Sequence, residues 1–150
     1  MMLSVALAAG FVGCGDGGVG INECRTIEEA RCNAATHCDV GLSSASKVGQ
    51  CIRYAKDHCL HGLPVEAPHP GTLDTCVTAI KAAGTCARRE GGETLASDCR
   101  GLEGSVASAK TTVCDVIDAP EVSSECGFLT QTPVKEREAG SERPKDAGTD

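Results

Sequence analysis

Apolar side chains recur along the middle of the chain at the spacing of a helical stripe. The clearest stripe consists of Val48, Cys51, Ile52, Ala55 and Cys59. These positions lie at offsets 0, 3, 4, 7 and 11, which place all five on one side of a helix. Because Gly and Pro are typical of helix ends, Gly62 and Pro64 indicate where this helix stops.

Similar signals predict a helix on either side of this one. Residues 26–29, Thr-Ile-Glu-Glu, have the form of a capping box, in which the Thr hydroxyl accepts from the Glu amide and the Glu carboxylate accepts from the Thr amide. The box predicts a helix over 27–38. The proline-rich segment 62–71 predicts an irregular connector. After it, Thr72 can cap a third helix that ends near Gly84. The stripe of this third helix is Leu73, Cys76, Val77 and Ile80.

The last part of the cysteine-rich region predicts two more helices. A short fourth helix is expected over 93–102, and a fifth from a cap at Ser105 to Asp118. The expected inward positions of the fifth are Val106, Ala109, Val113, Cys114 and Ile117. The β-branched segment 111–117 is also compatible with a strand, and Pro120 ends either element. The predicted fold is therefore mostly α, a small disulfide-stapled bundle of about four to five short helices with irregular connectors, spanning residues 23–129.

Residues 130–150 contain almost nothing to bury and predict a disordered tail. Basic and acidic side chains alternate there, from Lys135 to Asp146. Such a mixture is typical of a solvated spacer, and a peptide ligand for a partner protein is the alternative interpretation.

The predicted core has few large side chains. The chain contains no Trp, one Tyr (Tyr54) and two Phe (Phe11 and Phe128). Because aromatic side chains give the largest burial per residue, the interior must be built from Ala, Val, Ile, Leu and Cys. A small domain with such a core needs cross-links to outweigh the entropy of its chain. The eleven cysteines of the sequence can supply them.

The amino-terminal segment has the features of an export signal. An apolar run of about ten residues, from Leu3 to Val12, suits a signal peptide and is about half of what a membrane-spanning helix requires. Residues 11–14, Phe-Val-Gly-Cys, resemble a bacterial lipobox, although no Lys or Arg precedes the apolar run. The resemblance implies that 1–13 is a signal peptide and that Cys14 is acylated. The Gly-rich segment 14–22 is then a flexible tether.

Two alternatives to the lipobox remain open. Residues 6–8, Ala-Leu-Ala, could form an ordinary cleavage site for secretion. Residues 1–13 could also form a buried first strand or helix.

An even set of cysteines remains once Cys14 is set apart. It consists of Cys24, Cys32, Cys38, Cys51, Cys59, Cys76, Cys86, Cys99, Cys114 and Cys126. We expect these ten to form five disulfides, which are typical of exported proteins and rare in the cytosol. If the first two helices are antiparallel, nested bridges Cys38–Cys51 and Cys32–Cys59 are expected, although spacing alone does not decide the pairing.

The net charge of the chain restricts the classes of partner that it is expected to bind. The formal net charge is −7. Nucleic-acid binding requires a basic face that displaces counterions from phosphates, so the acidity of the chain argues against this class of function. The acidity also argues against attraction to an anionic lipid surface by charge alone.

No group of residues singles out an active site. Residues 57–59, Asp-His-Cys, are similar in reverse order to the His-Asp-x-Cys element of small disulfide-rich phospholipases, so a small exported hydrolase that uses His58 or His61 is the alternative function. Adjacent residues of a helix point about 100° apart, so Asp57 is poorly placed to orient His58. We expect this to be a solvated polar face.

A metal site is also not expected. The closest cysteines are six positions apart, Cys32 and Cys38, whereas structural zinc sites use pairs two to four apart. A Cys/His metal-binding domain built on His37-Cys38 or His58-Cys59 is a further alternative. No cofactor is predicted.

Taken together, the motif at 11–18 and the even cysteine count resemble the cysteine-rich lipoproteins of unknown function in bacterial envelopes. The resemblance implies an anchor at Cys14 and an envelope location, and it transfers no catalytic residue. In enteric bacteria an Asp directly after the anchor favours the inner membrane; Gly15 stands here, so the outer membrane is expected. The leading hypothesis is a non-catalytic lipoprotein that displays a rigid helical domain for a binding or structural role. Its expected partners are the membrane, through the lipid anchor, and an unidentified protein or envelope ligand.

Overall fold

The computed structural model describes residues 20–38 and 42–130, and within these ranges the chain is helical. The α-helices are α1 (Ile21–Ala34), α2 (Ala45–His58), α3 (Pro70–Glu90) and α4 (Val113–Asp118). Short 3₁₀ turns occur at Ala35–His37, Cys59–His61, Ala96–Asp98, Pro120–Val122 and Ser124–Thr130. The prediction of a mostly α, disulfide-stapled fold is confirmed. The segments predicted as a signal peptide and as a disordered tail, and the predicted acylation site Cys14, lie outside the described residues.

The long helix α3 is the centre of the domain. It packs against α1 on one side and against α4 and the 3₁₀ turn at Ser124–Thr130 on the other. The largest fully buried side chains are Ile80, Leu102, Val113, Val116 and Ile117. The core is therefore aliphatic, as the composition requires, and Phe128 is its aromatic residue among those described.

Helix α1 begins before the predicted capping box. Gly20, with a φ of 77°, precedes the first helical residue, Ile21, so the helix extends into the segment predicted as tether. Thr26 lies inside the helix, where its hydroxyl donates to the Asn22 carbonyl oxygen at 2.8 Å. The prediction of a cap at Thr26 is wrong because a Thr three residues before a Glu is also compatible with a helix interior.

Helix α3 does not end at Gly84. A Cβ built on Gly84 would lie 2.7 Å from the Ala34 Cβ, so the missing side chain allows α1 and α3 to approach closely. The helix continues to Glu90 and ends at Gly91, whose φ is 99°. It also begins at Pro70, before the predicted cap at Thr72. The predicted stop was wrong because Gly84 serves the helix crossing.

The second half contains less helix than predicted. Residues 93–102 form only the 3₁₀ turn at Ala96–Asp98, and the chain is not helical from Ser105 to Thr112. Gly101 and Gly104 have φ values of 88° and 76°, which a right-handed helix does not accommodate. Helix α4 starts later, after a capping box in which Asp115 pairs with Thr112. The strand alternative for 111–117 is also wrong, apart from an isolated bridge between Leu95 and Thr112.

The ten cysteines of the described ranges form five disulfides. They are Cys24–Cys59, Cys32–Cys51, Cys38–Cys114, Cys76–Cys126 and Cys86–Cys99. The first two are nested between antiparallel helices α1 and α2, but the predicted partners were wrong. Because α1 starts at Ile21, both Cys24 and Cys32 lie on it, and they bond to the turn directly after α2 and to α2 itself. Cys38 lies beyond the end of α1 and bonds instead to α4.

Helix α2 is attached mainly by these bonds. Of its fourteen residues only Ala55 is buried, and it packs chiefly against α1. The predicted stripe faces inward, with Val48, Cys51 and Ile52 half-buried. The rest of the helix surface is exposed to solvent.

Candidate functional site

A groove of about 540 Å³ lies between α1 and α3. Its lining residues on α1 and the turn after it are Thr26, Glu29, Ala30, Asn33, Ala34, Thr36 and His37. Those on α3 are Val77, Lys81, Gly84, Thr85 and Arg88. The volume falls in the range of about 300–1,000 Å³ that is usual for small-molecule sites.

The sequence explains why a groove forms here. Small residues, Ala30, Ala34 and Gly84, line it at the helix crossing, so no long side chain fills it. The two helices run in the same direction. Ala34 meets Gly84, and a Cβ at Gly92 would lie 3.2 Å from the His37 carbonyl oxygen. The carboxyl ends of both helices therefore lie at one end of the groove.

The groove combines an apolar floor with a charged rim. Lys81 and Arg88 are exposed and lie seven residues apart on α3, which places them on nearly the same side and about 10 Å apart along the axis. In the described parts of the chain, the ion pairs all involve Arg31, so both cations lack a carboxylate partner. Glu29 is the acidic residue of the lining. This arrangement can bind a molecule with a small apolar part and two anionic groups.

Hydrogen bonding around the groove leaves polar atoms for a ligand. The Asn33 side-chain amide donates to the Glu29 carbonyl oxygen at 2.8 Å, which holds the Asn33 side chain against its own helix. Its side-chain oxygen is then an acceptor on the same helix. Thr26 and Thr85 add hydroxyl groups to the lining. The rim therefore offers both donors and acceptors beside its two cations.

The His residues considered for hydrolysis lie elsewhere. Asp57, His58 and His61 are exposed on α2 and the turn that follows it. The His58 ring stacks on Tyr54, with 6.0 Å between ring centroids and 11° between ring planes. No side-chain hydrogen bond joins Asp57 and His58 in the described ranges. The structure therefore brings together no acid–base pair at this position.

The alternative of a Cys/His metal-binding domain also receives no support from the arrangement of the described residues. Within residues 20–38 and 42–130 no group of three or more His, Cys, Asp or Glu side chains is placed to hold a metal ion. His37 and Cys38 are adjacent, but Cys38 is bonded to Cys114. All ten cysteines of these ranges are disulfides, which leaves no thiolate there to act as a ligand.

The sequence predicted no groove between α1 and α3, and of the residues that line it only His37 had been considered for a site. Lys81 and Arg88 flank the buried stripe of α3 at a spacing of seven, which is a detectable signal of a shared helix face. The end assigned at Gly84 hid this signal because it left Arg88 outside the helix. The close approach of Ala34 to Gly84 depends on tertiary packing and has no local signal.

No described helix is long and apolar enough to cross a membrane. Comparisons with protein-family models, curated proteins and solved structures give no match to this chain. The groove and the five disulfides are therefore the features from which a function can be argued.

Proposed function

We propose that this protein is an exported, non-catalytic lipoprotein of the bacterial envelope that binds a ligand in the groove between α1 and α3. The observation that carries the proposal is the disulfide pattern. Ten cysteines pair with one another, and Cys14 is the one cysteine of the sequence that these five bonds do not use.

Five disulfides are typical of an oxidising, exported environment. A remaining cysteine in such an environment calls for an explanation, and acylation supplies one. Cys14 ends the lipobox-like segment 11–14, and the Gly-rich residues after it suit a tether. Gly15 occupies the position where Asp favours the inner membrane in enteric bacteria, so the proposed destination is the outer membrane.

The disulfides also support a binding role because they hold both walls of the groove. Helix α1 carries Cys24 and Cys32, and α3 carries Cys76 and Cys86, each bonded to another element. A site whose walls are fixed before binding loses little conformational freedom when a ligand enters. The groove is therefore preorganised without a large aromatic core.

Metabolic labelling tests the anchor. Cells that express the full chain are fed an alkyne fatty acid, and the protein is analysed by gel fluorescence and intact mass. We expect label on the wild type, none on Cys14→Ala, and unchanged label on a matched control in which Cys86 and Cys99 are both Ala. Outer-membrane fractionation of the labelled protein tests its destination. A wild type that is exported without label, or label retained by Cys14→Ala, would contradict the proposed anchor.

An NMR screen tests the groove. Dicarboxylic acids of graded length and short acidic peptides are added to the protein, and amide shifts are mapped. We expect shifts at Thr85, Lys81 and Arg88 that are largest for anionic groups about 10 Å apart. The double variant Lys81→Gln/Arg88→Gln should abolish them, and the control Lys110→Gln on another surface should not. Shifts that spread over other faces, or none across the panel, would refute the groove as the site.

A further inference from the structure

The most exposed large apolar side chains of the described domain lie on and just after α2. Tyr54 is 72% exposed and Leu60 is 56% exposed. The neighbouring side chains Arg53, Lys56, His58 and His61 are also exposed, and we call these six residues the α2 patch. Helix α2 contains three cations, Lys47, Arg53 and Lys56, and one carboxylate, Asp57. Asp57 is exposed on the same side of the helix, so two cations and one carboxylate lie together there, a net charge of +1 on a chain whose net charge is −7.

This patch extends from the end of α2, which lies beside the start of α1, to about the middle of α1, because the Cys32–Cys51 disulfide sets Arg53 and Tyr54 level with residues 29–30. The Cys24–Cys59 disulfide joins the start of α1 to the end of α2. A Cβ built on Gly20 would lie 3.1 Å from the Leu63 side chain, so the first described residue also packs against the segment after α2. Leu60 directly follows the bonded Cys59.

The chain between Cys14 and Gly20 limits how far this end can lie from an anchor. Six residue steps span at most about 22 Å when fully extended. Helix α1 itself is about 21 Å long, since it contains 14 residues. An anchor at Cys14 thus keeps the Leu60 end of the α2 patch close to the lipid surface, and Arg53 and Tyr54 reach that surface when α2 lies along it.

We propose that the α2 patch rests on the anionic surface of the membrane that holds the lipid anchor, with Tyr54 and Leu60 in the interfacial layer and Arg53 and Lys56 beside lipid headgroups. The proposal rests on the anchor at Cys14 proposed above. Tyr side chains favour the membrane–water interface because one end of the ring is apolar and the other hydrogen-bonds. Arg and Lys can extend their charged groups to headgroups while their stems cover apolar surface.

A single-tryptophan experiment tests the contact without the anchor. The chain has no Trp, so Tyr54→Trp in a full-length Cys14→Ala background gives one reporter at the patch. The probes are vesicles of phosphatidylcholine mixed with phosphatidylglycerol, with and without brominated lipid. We expect a blue shift and quenching by brominated lipid. The matched control is Leu95→Trp. Leu95 lies three residues after Gly92, which packs beside His37 and Cys38 just beyond the carboxyl end of α1. The emission of the Leu95→Trp protein should not change when vesicles are added.

Charge variants separate the patch from the apolar amino-terminal segment, which all variants share. Each of Arg53→Gln and Lys56→Gln should weaken vesicle binding of the Tyr54→Trp protein about fivefold, whereas Lys110→Gln should not. The proposal is overturned if the folded Tyr54→Trp protein gives no shift, if Leu95→Trp responds equally, or if the shift depends on protein concentration without vesicles, which would indicate a second copy. Failure here leaves the fatty-acid labelling of Cys14 unaffected, so the two proposals fail separately.

Discussion

Replacing Gly84 with Ala should destabilise the domain although Ala is the better helix former. The new Cβ would lie 2.7 Å from the Ala34 Cβ and 2.9 Å from the Ala34 Cα. Carbon atoms pack best at about 3.5–4.0 Å, so α1 and α3 must separate locally by about 1 Å. Overpacking of this kind costs about 1–3 kcal/mol, and the gain in helix propensity returns about 1 kcal/mol.

Gly49→Ala is the matched control. Gly49 lies inside α2, and its new Cβ would meet only the Arg53 guanidinium at 3.6 Å, an ordinary contact. This variant should therefore gain about 1 kcal/mol from helix propensity alone. Because both substitutions carry the same propensity gain, the difference between them isolates the cost of the helix crossing, about 1–3 kcal/mol.

Urea unfolding with the disulfides intact measures both variants. A change in midpoint at constant slope reports stability, since the slope follows the surface exposed on unfolding. Gly84→Ala should unfold at lower urea than Gly49→Ala, and the order should persist at different pH. If Gly84→Ala is as stable as Gly49→Ala, then α1 and α3 do not cross as closely as described. The explanation of the groove by this close crossing would then also be wrong.

Three further outcomes are expected. Replacing both cysteines of Cys38–Cys114 with Ala should cost about 4.5 kcal/mol, against about 3 kcal/mol for Cys86–Cys99, because the bonds close separations of 76 and 13 residues; equal losses in urea unfolding would contradict this ranking. The Arg31 side chain donates from Nε to the Ile117 carbonyl oxygen at 2.8 Å and from Nη2 to the Asp118 carbonyl oxygen. Arg31→Lys should therefore lower the free energy of unfolding by about 1.5–3 kcal/mol. The control Arg53→Lys, at an exposed position, should change it little. Hydrogen bonds from backbone amides, first that of Glu103 itself and then that of Gly101, lower the pKa of the Glu103 carboxyl. Glu103 therefore stabilises the fold above its pKa in the unfolded chain, and this stabilisation is lost as the pH falls through its pKa in the folded protein. An NMR titration that shows an ordinary or raised pKa for Glu103 would refute these hydrogen bonds.

The helix with the strongest periodic stripe was the easiest to predict. The predicted stripe of α2 starts at Val48, and the helix begins three residues earlier, after Ser44, whose hydroxyl accepts from the Lys47 amide. Its inward face was correct, with Ala55 and Cys59 buried. A repeated apolar spacing over three turns is a property of the segment itself, so tertiary packing had little scope to change it.

The capping-box motif was ambiguous because two positions of the sequence satisfy it. Thr26 and Thr112 each precede an acidic residue by three positions, but only Thr112 caps a helix. Helical residues already precede Thr26, whereas the segment before Thr112 contains Gly104 in a left-handed conformation. The groove and the disulfide partners depend on which helices meet, which no local pattern specifies.

Burial and disulfides stabilise different parts of this domain, and together they leave the groove and the α2 patch open at its surface. Burial is concentrated around α3, and α2 is held to α1 by two disulfides with only Ala55 buried. Since α2 need not bury its remaining faces, it can keep Tyr54 and Leu60 exposed without loss of the fold. The groove lies on the side of α1 that faces α3, and it extends toward His37, at the opposite end of α1 from the Cys24–Cys59 disulfide. A domain that rests on lipid through the α2 patch would therefore leave the His37 end of the groove open to a ligand from the surrounding medium.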